Sequence, residues 1–501
     1  MEQIGLLLDG FAGALTPMNL LWVVIGCLLG TAVGVLPGMG SSMAVALLLP
    51  MTFALDPTAA FTLFAGVYFG GLFGDSTMAI LLNTPGQASA IASTFEGHRM
   101  ATSGRAPQAL ATAAIGAFVG GMVASALVVF ISPSLVELSS QFGPPEYFAL
   151  AMFAFIATSS VVSDNVLKGL AALVIGIGIT LIGIDAVSGV ERFTMGSPQL
   201  FEGISLVTVT VAILALGEVL FIASRVRRDR EDLQVRRAGR GLLSRKEFLE
   251  AAPAWGRGTL VGLPFGVIPA GGAEVPTFLA YDVERRLDRR RKTPMFGKGA
   301  IRGLAAPEAA GNATTGMAMG ALLALGLPIS ATAAIMLAAF QQYGLQPGPL
   351  LFEQSADLVW ALLASFFIAM VVLLIINLPF AQLWAKLLLI PKPYLYGGIT
   401  LFCGLGIYAT AASVFDLVLL LGLGILGFVM RRYDYPLAPL MIGMVLGPLA
   451  ERSLRDALLS SVGDPSILVE SGITWVIYGL LALVVGVSLW NALRTRTKQD
   501  V

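Results

Sequence analysis

The sequence predicts an all-α polytopic membrane protein with about ten to twelve membrane segments, arranged as two inverted repeats with broken, partly re-entrant helical hairpins. Of the 501 residues, 56% are hydrophobic and only 12% are charged, whereas soluble domains average roughly 25% charged residues. Several uncharged runs approach the ~20 residues that a spanning helix needs. A Gly/Pro interruption also occurs once in each half, and paired interruptions of this kind indicate the binding site of a transporter.

Basic residues divide the chain into two halves. Lys and Arg in short loops mark the cytoplasmic side of a membrane protein, and the largest basic cluster occupies residues 225–257. We therefore expect residues 1–224 to form a first transmembrane half, residues 225–257 a basic cytoplasmic linker, and residues 258–501 a second transmembrane half. The formal net charge is zero and gives no sign of a nucleic-acid partner, so none is expected.

The first half has one interrupted apolar stretch followed by five regular ones. The interrupted stretch covers about residues 20–55 with its break at residues 37–40, and it predicts a hairpin that enters the membrane from outside. The regular stretches alternate sides and bring the chain to the basic linker, which places the N-terminus outside. They cover about residues 59–82, 107–133, 146–163, 167–187 and 204–224.

The second half begins with the apolar stretch 258–281, which has basic clusters on both sides. A single crossing would put one of these clusters outside, so the breaks at Pro264 and Pro269 predict a hairpin that dips in from the cytoplasm and returns. Spans near 303–342 and 357–379 follow. Four further crossings or partial crossings then lead to a cytoplasmic C-terminus.

The break in the first hairpin carries the strongest candidates for substrate binding. Proline there removes a backbone donor, and glycine lets the main chain approach a ligand. Unpaired N–H groups and the dipole at the start of the following helix favour a carboxylate or phosphate. The candidates are Pro37, Gly38, Met39, Gly40, Ser41 and Ser42. In the alternative interpretation, Gly30-x-x-x-Gly34 is only a helix-packing face and Pro37-Gly38 only a kink.

Two further breaks extend the candidate site. In the second hairpin, Ala270, Gly271 and Gly272 correspond to the first break and are assigned to the substrate. The Asn83-Thr84-Pro85-Gly86 segment offers amide, hydroxyl and freed carbonyl oxygens, the ligand set that unwound transporter helices present to Na⁺. A plain helix end is the alternative. Pro85 and Gly86 are assigned to the substrate, and Asn83, Thr84, Asn312 and Thr314 to cation or substrate.

Three ionisable residues lie inside predicted membrane segments. A charge there costs several kcal/mol unless it faces a partner or water, so Asp75, Glu274 and Glu308 are candidates for binding a proton or Na⁺. A buried structural hydrogen bond is the commoner alternative. Two cysteines and one histidine exclude a multi-histidine metal site, and phosphate-loop, zinc-protease and serine-hydrolase motifs are absent. We expect no enzymatic activity and no cofactor beyond a coupling ion.

Several ordered motifs resemble one known family over nearly the whole chain. In the first half these are Gly34-Val-Leu-Pro37-Gly-Met-Gly40, Tyr68-Phe-Gly70-Gly-Leu-Phe-Gly74-Asp-Ser and Ile80-Leu-Leu-Asn83-Thr-Pro85-Gly86. In the second half they are Phe296-Gly297-Lys-Gly299, Pro307-Glu308-Ala-Ala and Gly326-Leu-Pro328. The chain is thus similar to the large membrane subunit of tripartite tricarboxylate transporters, the TctA type.

The resemblance implies a secondary transporter of the bacterial inner membrane that imports a tricarboxylate or related organic carboxylate by symport with a cation, Na⁺ or H⁺. It further implies a small membrane subunit and a periplasmic solute-binding protein as partners, and it leaves a homo-oligomer open. Two departures, Ala270 in the second break and Gly311 before Asn312, point to a different substrate. A passive anion channel and an intramembrane enzyme are the alternatives.

Overall fold

The computed structural model describes residues 2–36, 40–161, 166–185, 188–225, 243–268, 272–291, 293–387 and 392–499. Within these ranges the chain is almost entirely helical, and its only strands form a short antiparallel pair, β1 (Gly183–Ile184) and β2 (Glu191–Arg192). The predicted all-α fold is confirmed.

The helices of the first half are α1 Glu2–Ala14, α2 Pro17–Gly34, α3 Ser41–Leu48, α4 Pro57–Leu82, α5 Ile91–Met100, α6 Ala106–Ser139, α7 Pro144–Val161, α8 Val166–Thr180, α9 Leu206–Thr210 and α10 Gly217–Arg225. A π-helical turn, Val211–Leu216, joins α9 to α10. Helix α1 precedes the predicted hairpin and was not anticipated from the sequence.

The helices of the second half are α11 Arg245–Phe265, α12 Glu274–Asp288, α13 Ile301–Leu325, α14 Ala331–Gln342, α15 Pro349–Gln354, α16 Ala356–Asn377, α17 Ala381–Leu387, α18 Lys392–Ala411, α19 Val414–Arg432, α20 Leu437–Ser460 and α21 Gly472–Gln499. Helix α11 begins within the range predicted as the basic linker.

Eight helices in the described part of the chain are long and apolar enough to cross a membrane. Three shorter apolar helices accompany them, at Ser41–Ala54, Val166–Thr180 and Gly472–Gly486. One of these short helices contains α3, the returning arm of the predicted first hairpin. The chain is therefore a multi-pass membrane protein in which full-length and half-length helices are combined.

Helices α2 and α4 run parallel, which makes α3 the returning arm of a hairpin. Gly26, Gly30 and Gly34 of α2 lie so close to α4 that an added Cβ atom would come within 3.0 Å of the α4 backbone. The facing residues, in the same order, are Leu63, Val67 and Gly71. Each step forward along α2 is matched by a step forward along α4, so the two helices run in the same direction. The chain must therefore turn back between them. The helix-packing role considered for Gly30 and Gly34 is confirmed.

Helices α11 and α13 repeat this arrangement in the second half. An added Cβ atom at Gly258, Gly262 or Gly266 would again come within 3.0 Å of the facing backbone. The facing residues are Ala306, Ala310 and Thr314. Each step forward along α11 is again matched by a step forward along α13, so these two helices are parallel. Helix α12 is the returning arm between them.

The two hairpin units are inverted relative to each other. Ser76 of α4 donates a hydrogen bond to Glu308 of α13 at 2.7 Å, and Tyr68 donates to the carbonyl oxygen of Thr315 at 3.3 Å. Along α4 from Tyr68 to Ser76, the bonded partner on α13 moves back from Thr315 to Glu308. Helices α4 and α13 are therefore antiparallel. Since each hairpin follows the direction of its long helix, the two hairpins enter the molecule from opposite sides.

The long helices α4 and α13 end in the same way. Asn83 caps α4 in the left-handed conformation with φ 57°, and Gly326 caps α13 with φ 68°. A left-handed residue is a common end of a helix because it satisfies the last carbonyl groups. Beyond these ends the chain continues in α5 and α14, and each of these packs on the returning arm of the opposite hairpin, α12 and α3 respectively.

The remaining helices surround the hairpin units in two mixed groups. Helices α7 and α8 pack on α20, and the segment from α9 to α10 packs on α18 and α19. Each group therefore combines helices from both halves of the sequence. Arg431 at the end of α19 forms an ion pair with Glu218 of α10 at 3.0 Å and lies over the Phe221 ring, which places the ends of these two helices on the same side.

Candidate functional site

Four interrupted segments converge on one cavity of about 380 Å³. The segments are residues 40–43 at the start of α3, 86–89 after α4, 272–274 at the start of α12 and 329–332 at the start of α14. Side chains from surrounding helices complete the wall, among them Tyr68, Thr158, Glu218, Thr315 and Arg431. We call this space the central cavity. Both hairpins and both helix breaks thus contribute to one site.

Helices α3, α12, α14 and α20 all begin in the wall of the central cavity, and α3 and α14 have a serine at or next to their first residue. In α3 the first intrahelical bond runs from Ala44 N to Gly40 O at 3.2 Å, and no side chain caps the helix. The N–H groups ahead of Ala44 therefore have no partner within the helix. In α14, Ser330 caps the start by accepting from Ala333 N at 3.1 Å. The positive ends of two helix dipoles at one cavity favour an anion.

The hydroxyl group of Ser41 links the two halves of the molecule. It lies 3.1 Å from the hydroxyl of Thr332 and donates to Gln87 Oε1 at 3.2 Å. The other side-chain atom of that amide, Gln87 Nε2, is buried and makes no hydrogen bond to the described residues. Two hydroxyl groups and one amide donor are therefore held together where the two helix breaks meet.

Asp75 holds the chain after the first long helix. Its carboxylate accepts from Gly86 N at 2.5 Å and from Gln87 N at 3.1 Å. The side chain is buried and lies behind the central cavity rather than in its wall. Asp75 therefore positions Gly86 and Gln87, as expected for a structural hydrogen bond inside a membrane protein.

A second, much smaller pocket of about 20 Å³ lies between α4, α5, α12 and α13. Its lining includes Asp75, Ser76, Ser93, Thr277, Glu308 and Asn312. Glu308 and Asn312 are buried; the carboxylate of Glu308 faces the hydroxyl groups of Ser76 and Ser93, and Asn312 Oδ1 makes no hydrogen bond within the described residues. The space is that of one water molecule or one cation. We call it the polar pocket; it shares Leu72 and Ser89 with the wall of the central cavity.

The model of the tripartite tricarboxylate transporter TctA family matches residues 20–442. The chain belongs to the TctA family. It is 38% identical over 496 residues, 99% of this chain and 98% of the relative, to an uncharacterized 52.8 kDa protein in the TAR-I ttuC' 3' region of Agrobacterium vitis. It is 37% identical over 238 residues, 48% of this chain and 98% of the relative, to an uncharacterized protein in the TAR-II ttuC' 3' region. No solved structure matches.

The TctA-family chain brings some predicted site residues together and places others elsewhere. Gly40, Ser41, Ser42, Gly86, Gly272 and Glu274 line the central cavity, and Asp75, Glu308 and Asn312 line the polar pocket. Pro85 lies outside both linings. Pro37, Gly38, Met39, Ala270 and Gly271 lie outside the described residues.

Three predicted cation ligands have other surroundings. Asn83 and Thr84 are exposed and do not line the central cavity. Thr314 is buried between α11 and α13, where its hydroxyl donates to Gly262 O and to Ala310 O, both at 2.9 Å. Thr314 therefore joins the two parallel helices of the second hairpin unit.

Sequence reasoning missed several residues of the central cavity. Gln87 directly follows the break at Asn83, and Thr332 directly follows the break at Pro328, so distance from a break could have identified both. Tyr68 lies in the Gly-rich motif of residues 68–76, but it is not among the predicted site residues. Glu218 and Arg431 come from helices far away in sequence, and no local signal marks them.

Proposed function

We propose that this TctA-family chain is the large membrane subunit of a secondary transporter that imports a tricarboxylate or related organic carboxylate by symport with Na⁺ or H⁺. We further propose that it resides in the bacterial inner membrane and works with a small membrane subunit and a periplasmic solute-binding protein. The observation that carries the proposal is the convergence of both hairpins and both helix breaks on the central cavity.

The central cavity suits a small carboxylate in size and polarity. Its volume of about 380 Å³ lies near the lower end of small-molecule sites, roughly 300 to 1,000 Å³. The two helix N-termini provide backbone donors, and Ser41, Thr332 and Gln87 provide side-chain donors beside them. Arg431 adds a positive charge, although it is paired with Glu218.

The acidic residues near the site explain why an anion would need a cation. Glu274 lines the central cavity and Glu308 lies directly behind it, so both carboxylates oppose the binding of a negatively charged substrate. A Na⁺ ion or proton in the polar pocket would neutralise Glu308 and reduce that repulsion. The carboxylate of Glu308 and the unpartnered amide oxygen of Asn312 are hard oxygen ligands of the kind that such a cation prefers.

Uptake of radiolabelled carboxylates into cells that express the chain with its neighbouring transporter genes tests the proposal. We expect saturable uptake of one carboxylate class that stops when an ionophore dissipates the Na⁺ or H⁺ gradient. Uptake that rises linearly with concentration and ignores the ionophore would instead indicate a passive channel. Cells that lack this chain provide the control.

A further inference from the structure

A second cavity of about 390 Å³ lies beside the β1–β2 hairpin and the C-terminal part of α20. Its charged wall consists of Asp185, Arg192, Glu451, Arg452 and Arg455, and Gln341 and Gln346 face the same space. Three arginines against two carboxylates give this wall a formal charge of +1. We call this space the arginine cavity.

The charges of the arginine cavity are only partly paired. Arg192 and Arg455 each contact both Asp185 and Glu451, at distances from 2.7 to 3.4 Å. Arg452 is exposed and forms no ion pair with the described residues. Arg192 Nε is buried and makes no hydrogen bond there. One N–H donor of Arg192 and the charge of Arg452 therefore have no partner among the described residues. Guanidinium groups bind carboxylates well because their N–H groups match the two carboxylate oxygens.

The arginine cavity lies farther along α14 and α20 than the central cavity does. Helices α14 and α20 both begin at the central cavity, at residues 330–332 and 436–438, and both continue to the arginine cavity, at Gln341 and at residues 445–455. With the basic linker in the cytoplasm, α10 and α19 end on the cytoplasmic side, so α20 runs outward. The arginine cavity then faces outside.

A thin apolar layer separates the two cavities. Between Thr332 and Leu337, α14 contributes Ile335 and Met336, and on α20 the facing layer includes Met441 and Ile442; all four are fully buried. At 1.5 Å per residue this layer is about 8 to 10 Å thick along the helices. A parting of α14 from α20 would therefore join the cavities.

We propose that the arginine cavity is a loading vestibule, a second and weaker binding site for polycarboxylate anions on the outer side of the carrier. The inference rests on the proposed function, because it assigns a capture step to the same cargo. Positive potential at the mouth of a cleft raises the local concentration of an anion. The cargo would bind first to the exposed Arg452 and then pass between α14 and α20 to the central cavity.

Cysteine labelling in right-side-out membrane vesicles tests the vestibule. Gln346 is exposed in the arginine cavity, while the native Cys27 and Cys403 are buried, so a Gln346→Cys variant gives a specific signal with a membrane-impermeant thiol reagent. Citrate is the probe, because the proposal concerns polycarboxylates as a class, and chloride at matched ionic strength is the reference. We expect citrate to slow labelling several-fold.

Adding Arg452→Gln should raise the citrate concentration needed for half-protection by about twofold to fivefold, within the range that exposed charge pairs contribute. Arg290→Gln, which removes an exposed arginine of the other side, is the matched control and should leave protection unchanged. The vestibule would be overturned if citrate gave no protection or if Arg452→Gln left the protection unchanged. Labelling found only in inverted vesicles would overturn it as well.

Citrate uptake measured in the same vesicles with the binding protein added separates this inference from the proposed function. Uptake without protection overturns the vestibule and leaves the carrier function standing. Protection without uptake of any tested carboxylate overturns the carrier function while supporting the binding site. If the purified binding protein protects the cysteine and citrate does not, the arginine cavity is a protein-docking surface and the inference is wrong.

Discussion

At the scale of single residues, the hydroxyl group of Ser41 connects the two helix breaks through Thr332 and Gln87. Ser41 also begins α3, so its side chain and the free N–H groups of the first turn face the same space. A substrate carboxylate bound there would meet donors from both halves of the molecule. Small changes at Ser41 are therefore expected to affect binding more than folding.

We predict that Ser41→Ala raises the half-saturation concentration for carboxylate uptake by about fivefold to tenfold, because each hydrogen bond contributes about 1 kcal/mol. Thermal stability should change little. Ser140→Ala is the control, since its exposed hydroxyl donates only to Glu137 O at the end of its own helix. Unchanged uptake kinetics in Ser41→Ala would contradict substrate binding at α3.

Glu308 gives a second prediction at this scale. Glu308→Gln keeps the size of the side chain and an acceptor for Ser76, but it removes the charge from the polar pocket. We expect uptake to lose its dependence on the Na⁺ or H⁺ gradient while the folded protein remains. Uptake at several cation concentrations measures this, and a variant with wild-type cation dependence would place the coupling ion elsewhere.

At the scale of helices, the glycine rows of α2 and α11 hold each hairpin against its parallel long helix. Association of helices in a membrane relies on close packing of small residues, because lipid provides no hydrophobic driving force between helices. Gly30 approaches the backbone of Val67 so closely that no side chain fits. The position of the hairpin tip at the central cavity therefore depends on these contacts.

We predict that Gly30→Ala and Gly262→Ala lower the thermal unfolding temperature of the purified protein and reduce uptake, because the added methyl group must push two helices apart. Gly398→Ala provides the matched control: Gly398 lies in α18, and a Cβ atom there meets nothing within 4 Å. It should be neutral or slightly stabilising, since alanine favours helix. Equal stability of all three variants would contradict the parallel packing.

At the scale of the whole molecule, two inverted hairpin units lie within helices contributed by both halves of the chain. The central cavity reaches the junction of α19 and α20, whereas the arginine cavity lies at the far part of α20. This arrangement, with one cavity on each side of an apolar layer, is the one that the proposed carrier function requires.

We predict that a cysteine placed at Ala438, in the wall of the central cavity, reacts with an impermeant thiol reagent in inverted vesicles and not in right-side-out vesicles. The reason is that the wall of the central cavity includes the junction of α19 and α20, at Arg431 and residues 436–438, and the rule that basic loops stay in the cytoplasm predicts that this junction lies toward the cytoplasm. A transported carboxylate with its cation should slow this reaction. Labelling from the outer side alone would reverse the assigned orientation.

The outcome at individual residues shows how far sequence reasoning reaches. Ser41 and Thr314 both carry a hydroxyl group, and both are predicted site residues. Ser41 faces the central cavity, whereas Thr314 turns toward α11 and bonds its backbone. Helices buried on all sides show no polar face, so periodicity does not tell which side of α4 or α13 faces the central cavity.

The sequence by itself determined that the chain is an α-helical membrane protein with broken hairpins, because composition, Gly/Pro breaks and basic clusters act locally on the backbone and on membrane insertion. Only the tertiary structure decided that Asn83 lies outside the cavity, that Gln87 and Thr332 meet Ser41, and that Arg431 reaches the same space. These contacts depend on the rotation and register of helices far apart in sequence. The rotation and register of the helices depend on close contacts at glycines between helices. No local sequence pattern shows which helices will be in contact.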